Sequence, residues 1–323
     1  MEQPIVYACY NKNIDERINS SSGGIFILMA RNIINAGGIV YGVTMSEDCY
    51  SAEYTSVSDL KSLNKLLGSK YIQAKIGNTY NLVKADLQKG NIVLFTGTGC
   101  QINGLKLFLQ KEYTNLICMD VVCHGVPSKK LWRRYIKYQE EIVDEKITKV
   151  NFRSKEAGWK DFGTKENERY IPKNEDEYME FFLKNYSLRP SCYNCVAKKK
   201  KMSDFSLADF WGIEELEPEF NDGLGCSLIF IRSEKGKDAF RRIVRSINYK
   251  LVSYNDVVKF NTAEYHSVSR PIERDNFYKD LDTLSFYDLK KKYTDIGKTK
   301  FYKIMKKVIR KLKNIFFLGG RNK

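Results

Sequence analysis

At 323 residues the chain is long enough to bury one large core or two of ordinary size, and its 43% apolar content with only 6 Pro excludes a disordered chain. The formal net charge of +15 suggests a nucleic-acid or membrane partner, but ten Lys or Arg and no acid lie within residues 298–323. Without them the body carries only +5, so no nucleic-acid partner is expected.

No segment approaches the ~20 apolar residues that cross a bilayer. The start, MEQPIVYACY, brings an early acid and an apolar run too short for a signal peptide, so a cytoplasmic location is expected. Thiols stay reduced there, and eight cysteines then point to metal, redox chemistry or burial rather than disulfides.

Pro4–Tyr10 reads as a strand, with Cys9 buried in it. SSSGG at Ser20–Gly24 then opens a helix over Gly24–Ala36. Small residues before a helix start make either an anion site, on the exposed N–H groups and the dipole, or an ordinary Ser cap with a tight turn. Ser21, Ser22, Gly23 and Gly24 are therefore candidate cofactor contacts. Gly38–Met45 follows as a strand, and Leu60–Leu67 and Tyr80–Gln88 as helices.

Asn91–Thr96 reads as a buried strand that runs into GTGCQINGLK. Two glycines and Thr98 make a tight turn that delivers Cys100 to the mouth of a helix over Gln101–Tyr113. A thiol there ionises more readily, as a nucleophile or metal ligand must, although a capped helix with an incidental cysteine reads the same way. Leu116–Val122 repeats the geometry and ends in VVCHGVPS, with Cys123 and His124 just past the strand. Neighbouring strands would bring Cys100 and Cys123 together. His124 is either a proton donor beside a redox centre or a hydrogen-bonded structural residue. A helix over Lys129–Ile142 follows.

Continuous apolar strands between amphipathic helices make residues 1–145 an α/β unit whose sheet is covered on both faces. Residues 146–274 read as a second, mixed α+β lobe, with strands at Val150–Lys155, Asp204–Asp209 and Ser227–Ser233 and helices at Glu177–Tyr186 and Lys237–Ser246. Its RPSCYNC turn supplies Cys192 and Cys195, a two-residue spacing that suits zinc and iron–sulfur centres alike. No second CxxC completes a zinc ribbon, and single distant cysteines favour iron–sulfur mildly. The run Lys198–Lys201 is either a solvated loop or a contact for an anionic cofactor or an acidic electron carrier. In SDFSLADFWG, Asp209 and Trp211 close a strand where aromatics could wall a flat cofactor or simply pack the core. Residues 275–297 read as a charged connector. Beyond it Phe301, Ile304, Met305, Val308, Ile309 and Leu312 share one face of a basic amphipathic helix over 298–323, as in helices that lie on an anionic membrane surface.

As an ordered set, SSSGGIF, GSKYIQ at Gly68–Gln73, GTGCQINGLK, DVVCHGVPS, RPSCYNC and SDFSLADFWG resemble the coenzyme F420 hydrogenase/dehydrogenase β-subunit family from about Pro4 to Arg274. The resemblance implies an FAD-binding α/β fold with a [4Fe-4S] cluster beside the flavin, moving electrons between one-electron carriers and a two-electron acceptor. It implies Cys100, Cys123, Cys192 and Cys195 as cluster ligands, zinc being the alternative occupant. It implies Ser22, Gly23, Gly24, Ser69, Lys70 and Tyr71 around the flavin, with Thr98, Gln101, Asp209 and Trp211 as further cofactor contacts and His124 as the catalytic candidate. Many bacterial members carry an N-terminal ferredoxin-like module that would end where this sequence begins, so a separate ferredoxin-like donor is expected. The proline usual before the GTGC cysteine is Gly99 here, which loosens that turn. Similar bacterial chains accompany surface-polysaccharide assembly, a setting that suits a peripheral protein at the inner face of the membrane. A non-catalytic, zinc- or cluster-stabilised adaptor is the competing expectation.

Overall fold

The computed structural model describes residues 3–296, so the expected helix over 298–323 lies outside the described residues. The strands in chain order are β1 (Ile5–Asn11), β2 (Ile39–Met45), β3 (Ala52–Val57), β4 (Ala74–Lys75), β5 (Val93–Thr98), β6 (Leu116–Val121), β7 (Val150–Ser154), β8 (Gly163–Glu166), β9 (Arg169–Pro172), β10 (Phe205–Asp209), β11 (Ser227–Ile231) and β12 (Ile247–Val252). Nine form one sheet in the order β12-β1-β11-β10-β6-β5-β2-β3-β4, and β7, β8 and β9 form a small antiparallel sheet. The centre, β10, β6, β5 and β2, is parallel, while β1, β11 and β12 add antiparallel pairs on one flank.

The apolar runs explain this placement. Strands buried on both faces need helices on both sides. Leu94 of β5 faces the helices Ile25–Asn35 and Glu234–Ile243, whereas its neighbours Val93 and Phe95 face the helices Thr79–Gln88 and Gly99–Leu109. The α/β architecture with helices on both faces is therefore observed. Cys9 and Cys118 are fully buried core residues.

Two differences from the sequence reading have clear causes. Segment 146–274 is divided: β7 starts the small sheet, but β10, β11 and β12 complete the large one, with β1 paired between β11 and β12. Residues 275–296 are not an open connector. They form the helices Arg274–Thr283 and Phe286–Tyr293, which bury Phe277, Leu281, Phe286 and Leu289 beside Trp132, Tyr135 and Phe181. The lysines and aspartates between those apolar positions hide a stripe of helical period.

Candidate functional site

The parallel pairing of β5 with β6 aligns Thr98 with Val121, and that of β10 with β6 aligns Leu207 with Val121. Cys100, Cys123, Asp209 and Trp211 each follow within a few residues, so all leave the sheet at the carboxyl edge of its parallel strands. That edge is where open α/β sheets place ligands. The Cys192–Cys195 turn is carried there by Pro190–Asn194, a 3-10 turn bridged to the chain after Cys123 through Pro127 and Leu188. The Val126 N–H donates to Cys192 Sγ at 3.4 Å, and the Cys195 N–H donates to Ser267 Oγ at 2.9 Å.

All four cysteines line one small cavity of about 30 Å³, together with Thr98, Asp120, His124, Lys198 and Lys201. Among the described residues no group of three or more His, Cys, Asp or Glu converges on a single metal-ion position. Cys100 is exposed, and Cys123, Cys192 and Cys195 are half-buried. The Cys123 thiol is pushed up to about 12, first by burial and then by the neighbouring sulfurs of Cys100 and Cys192, with Lys198 opposing. Burial also raises Cys192, against the pull of the Val126 N–H and Arg189. The Cys123 and Cys192 thiols, each raised partly by neighbouring cysteine sulfurs, are donors that a cation would relieve.

A second, much larger cavity of about 680 Å³ lies beside the first. Ser21, Ser22, Gly24, Ser69, Lys70, Tyr71, Thr98, Gln101, Asp209, Trp211 and His124 all line it. Gly23 does not, because it sits behind the wall. A Cβ on Gly23 would lie 2.6 Å from the Cys9 carbonyl oxygen and 2.8 Å from the Ser227 nitrogen, so this glycine lets the loop pack against β1 and β11. Residues Cys123–Val126 line both cavities and form their common wall.

The loop hydroxyls are mostly engaged within the protein. Ser21 Oγ accepts the Ser69 N–H at 2.9 Å, and Ser22 Oγ donates to the Cys226 carbonyl at 2.9 Å. Gly24, at φ +76°, turns the chain into the helix Ile25–Asn35, which has no side-chain cap, and Ile25 and Phe26 face the cavity. Free N–H groups of that first turn suit an anion. Gln101 has a local job. Its Oε1 accepts the Thr98 N–H at 2.8 Å and the Tyr54 hydroxyl at 3.0 Å, fixing the turn before Cys100.

Lys70 donates to the Leu67 carbonyl at 2.7 Å, and burial pulls its ammonium down to about 7. His124 Nε2 lies 2.6 Å from Asn185 Oδ1 and its ring meets the edge of Phe182, while burial lowers its pKa. Trp211 stacks on Trp159 with centroids 5.2 Å apart. His266 is exposed; its carbonyl accepts from Lys198 at 2.7 Å, its N–H donates to the Thr262 carbonyl at 2.8 Å and its ring packs on Tyr265, so it takes no part in the site.

Sequence reasoning missed two cations. Arg153, only 4% exposed, pairs with Asp209 Oδ2 at 3.1 Å, lies 3.8 Å over the Phe162 ring and lines the large cavity. Lys155 Nζ donates to the carbonyls of Arg17, Ser22 and Leu224 at 2.7, 2.7 and 2.9 Å, tying the serine loop to the turn before β11. The only signal was NFRSK, a strand-like run with cations at alternate positions.

Residues 90–257 match a family model that describes the carboxyl-terminal part of the coenzyme F420 hydrogenase/dehydrogenase beta subunit. One solved chain, from a xenon derivatization of the F420-reducing [NiFe] hydrogenase complex of Methanosarcina barkeri, is similar over 86% of this chain and 92% of its own. The identity is 12% and the TM-score 0.57, a likeness of fold. No curated protein sequence matches significantly.

Proposed function

Because the chain belongs to the coenzyme F420 hydrogenase/dehydrogenase β-subunit family, we propose that it is a flavin- and iron–sulfur-containing oxidoreductase that takes electrons singly from a ferredoxin-like donor and delivers them in pairs. The observation that supports this most is the common wall of Cys123–Val126 between the four-cysteine cavity and the large cavity. Four thiols are the donor set of a [4Fe–4S] cluster, and the neighbouring space suits a flavin with its phosphates at the serine loop. When bound, the cluster supplies one-electron transfer and the flavin supplies the switch to two-electron chemistry.

The protein's share is binding and orientation. Cys100, Cys123, Cys192 and Cys195 are the proposed cluster ligands. The first turn of Ile25–Asn35 and Lys70 would meet phosphate, whose charge restores the Lys70 ammonium that burial weakens. Arg153, paired with Asp209, fixes the cavity floor, and Trp211 forms an aromatic wall. The Asn185 oxygen keeps a proton on His124 Nε2, so Nδ1 is the acceptor left on that ring. An absorption spectrum with metal and flavin assays on anaerobically purified protein tests the reading. About one flavin and about four irons per chain are expected. Cys192→Ser is expected to lose the broad iron–sulfur absorption while keeping the flavin bands. Stoichiometric zinc without flavin would instead support the adaptor.

Placement at an anionic inner-membrane surface, within polysaccharide assembly, belongs to the same proposal and rests on the basic pattern of residues 298–323 and the resemblance alone. Among the described residues no helix is long and apolar enough to cross a membrane. A chain ending at Ile296 is expected to stop pelleting with phosphatidylglycerol vesicles that the full chain binds. Undiminished pelleting rejects the membrane role.

A further inference from the structure

The four-cysteine cavity is not symmetric between protein and solvent. Cys123 stands at the wall shared with the large cavity, whereas Cys100 is exposed at the start of the helix Gly99–Leu109. One heptad along, on the same helical stripe, Leu107 is 65% exposed. Across the cavity mouth Val196, next to Cys195, is 69% exposed. The Asn103 side chain, between Cys100 and Leu107, donates to the Lys200 carbonyl at 2.8 Å and joins the two segments into one surface. An apolar strip with a thiol in it therefore crosses the mouth.

The rim of this strip carries exposed cations. Arg189, Lys199 and Lys200 are exposed, and among the described residues none of them pairs with a carboxylate. The sequence carries no acid between Asp86 and Glu112, nor between Glu180 and Asp204, the two stretches that supply the surface. Asp204 is buried, and Glu264, also buried, already holds Lys201 and Arg232. Elsewhere the body mixes its charges, as along Glu234–Ile243, where Lys237 pairs with Glu234 and Arg241 with Asp238. Unpaired cations around an apolar centre attract and orient a partner of opposite charge.

We propose that this mouth is the docking surface for a small acidic protein carrying a one-electron iron–sulfur centre. The proposal rests on the redox reading of the four thiols and adds where the donor sits. A nucleic acid or a lipid surface would meet the lysines but gain nothing from a thiol window set among them. An iron–sulfur cluster held by Cys100, Cys123, Cys192 and Cys195 would accept the one electron that the carrier gives up at each docking, with no bond made and no proton moved. Two dockings supply the pair that a two-electron acceptor in the large cavity requires.

The test uses the full-length chain, purified anaerobically, with a plant-type [2Fe–2S] ferredoxin as probe. Binding measured by calorimetry is expected to weaken at least about tenfold between about 20 and about 200 mM salt. The double variant Lys199→Glu/Lys200→Glu is expected to bind at least about tenfold more weakly at low salt, with iron and flavin contents unchanged. Lys237→Glu, in the helix that follows the far end of β11, serves as the control and should bind normally. Equal affinity of the double variant and the parent overturns the proposal. So does control of binding to phosphatidylglycerol vesicles or single-stranded DNA by this lysine pair with ferredoxin binding unaffected. A chain without iron or flavin that still binds ferredoxin through these lysines rejects the redox reading and leaves the surface standing. A fully loaded chain that ignores ferredoxin does the reverse.

Discussion

Gly23→Ala is expected to empty the large cavity of its cofactor and to lower the melting temperature by about 6 °C, on a cost of about 3 kcal/mol. The added methyl would sit 2.6 Å from the Cys9 carbonyl oxygen and 2.8 Å from the Ser227 nitrogen. Those residues are register partners in the β1–β11 pair, so neither backbone can withdraw without breaking the sheet. The loop must move instead. It would give up the bond from the Asn11 N–H to the Gly23 carbonyl at 2.7 Å and that from the Gly23 N–H to Ser227 Oγ at 2.9 Å. The loop carries Ser21, Ser22 and the turn into Ile25–Asn35, so moving it re-aims the proposed phosphate contacts while the rest of the sheet stays paired. Flavin content and thermal unfolding measured together decide the matter. A variant with parental flavin content and melting temperature shows that the loop has room the packing denies it.

The parts of the site legible in the sequence were those set by local rules. A buried strand, a tight turn and a helix were enough to place Cys100, and the same pattern one strand later placed Cys123. Adjacency of the two followed once the strands were parallel neighbours, as β5 and β6 are. What could not be read depends on pairings across more than 200 residues. β1 lies between β11 and β12, so Gly23 packs between Cys9 near it in sequence and Ser227 at the far end of the chain. The serines of SSSGG read as ligand contacts, yet Ser21 and Ser22 also spend their hydroxyls on Ser69 and Cys226. β12 escaped notice because an edge strand with Asn248, Tyr249, Lys250 and Leu251 exposed carries no clean alternation. Arg153 was hidden for a different reason. A charge in a strand reads as solvent-facing until the structure supplies both the carboxylate and the aromatic ring that hold it inside.

Asp209→Ala is the second large effect expected, because it leaves that guanidinium without its counter-charge. Arg153 is 3% exposed at the side chain and Asp209 19%, so the pair is drawn largely out of water. Removing one member of a buried pair costs about 3–5 kcal/mol when the survivor is sealed in. Here the large cavity runs along one side of Arg153 and admits water, so about 2–3 kcal/mol is the better figure, or about 5 °C in melting temperature. Among the contacts left to Arg153, the Phe162 ring at 3.8 Å and the Ser21 carbonyl at 3.4 Å hold its position but do not balance its charge. Asp209→Asn keeps an oxygen for the guanidinium and should lose roughly half as much. The two variants also separate structure from binding. If Asp209 acts only by anchoring Arg153, cofactor loss should follow stability across both. If Arg153 meets an anionic ligand, freeing it from Asp209 should spare or even tighten binding of that ligand while stability falls. Flavin retained per folded chain, set against melting temperature for the two substitutions, distinguishes a floor that is merely held together from one that takes part in holding the cofactor.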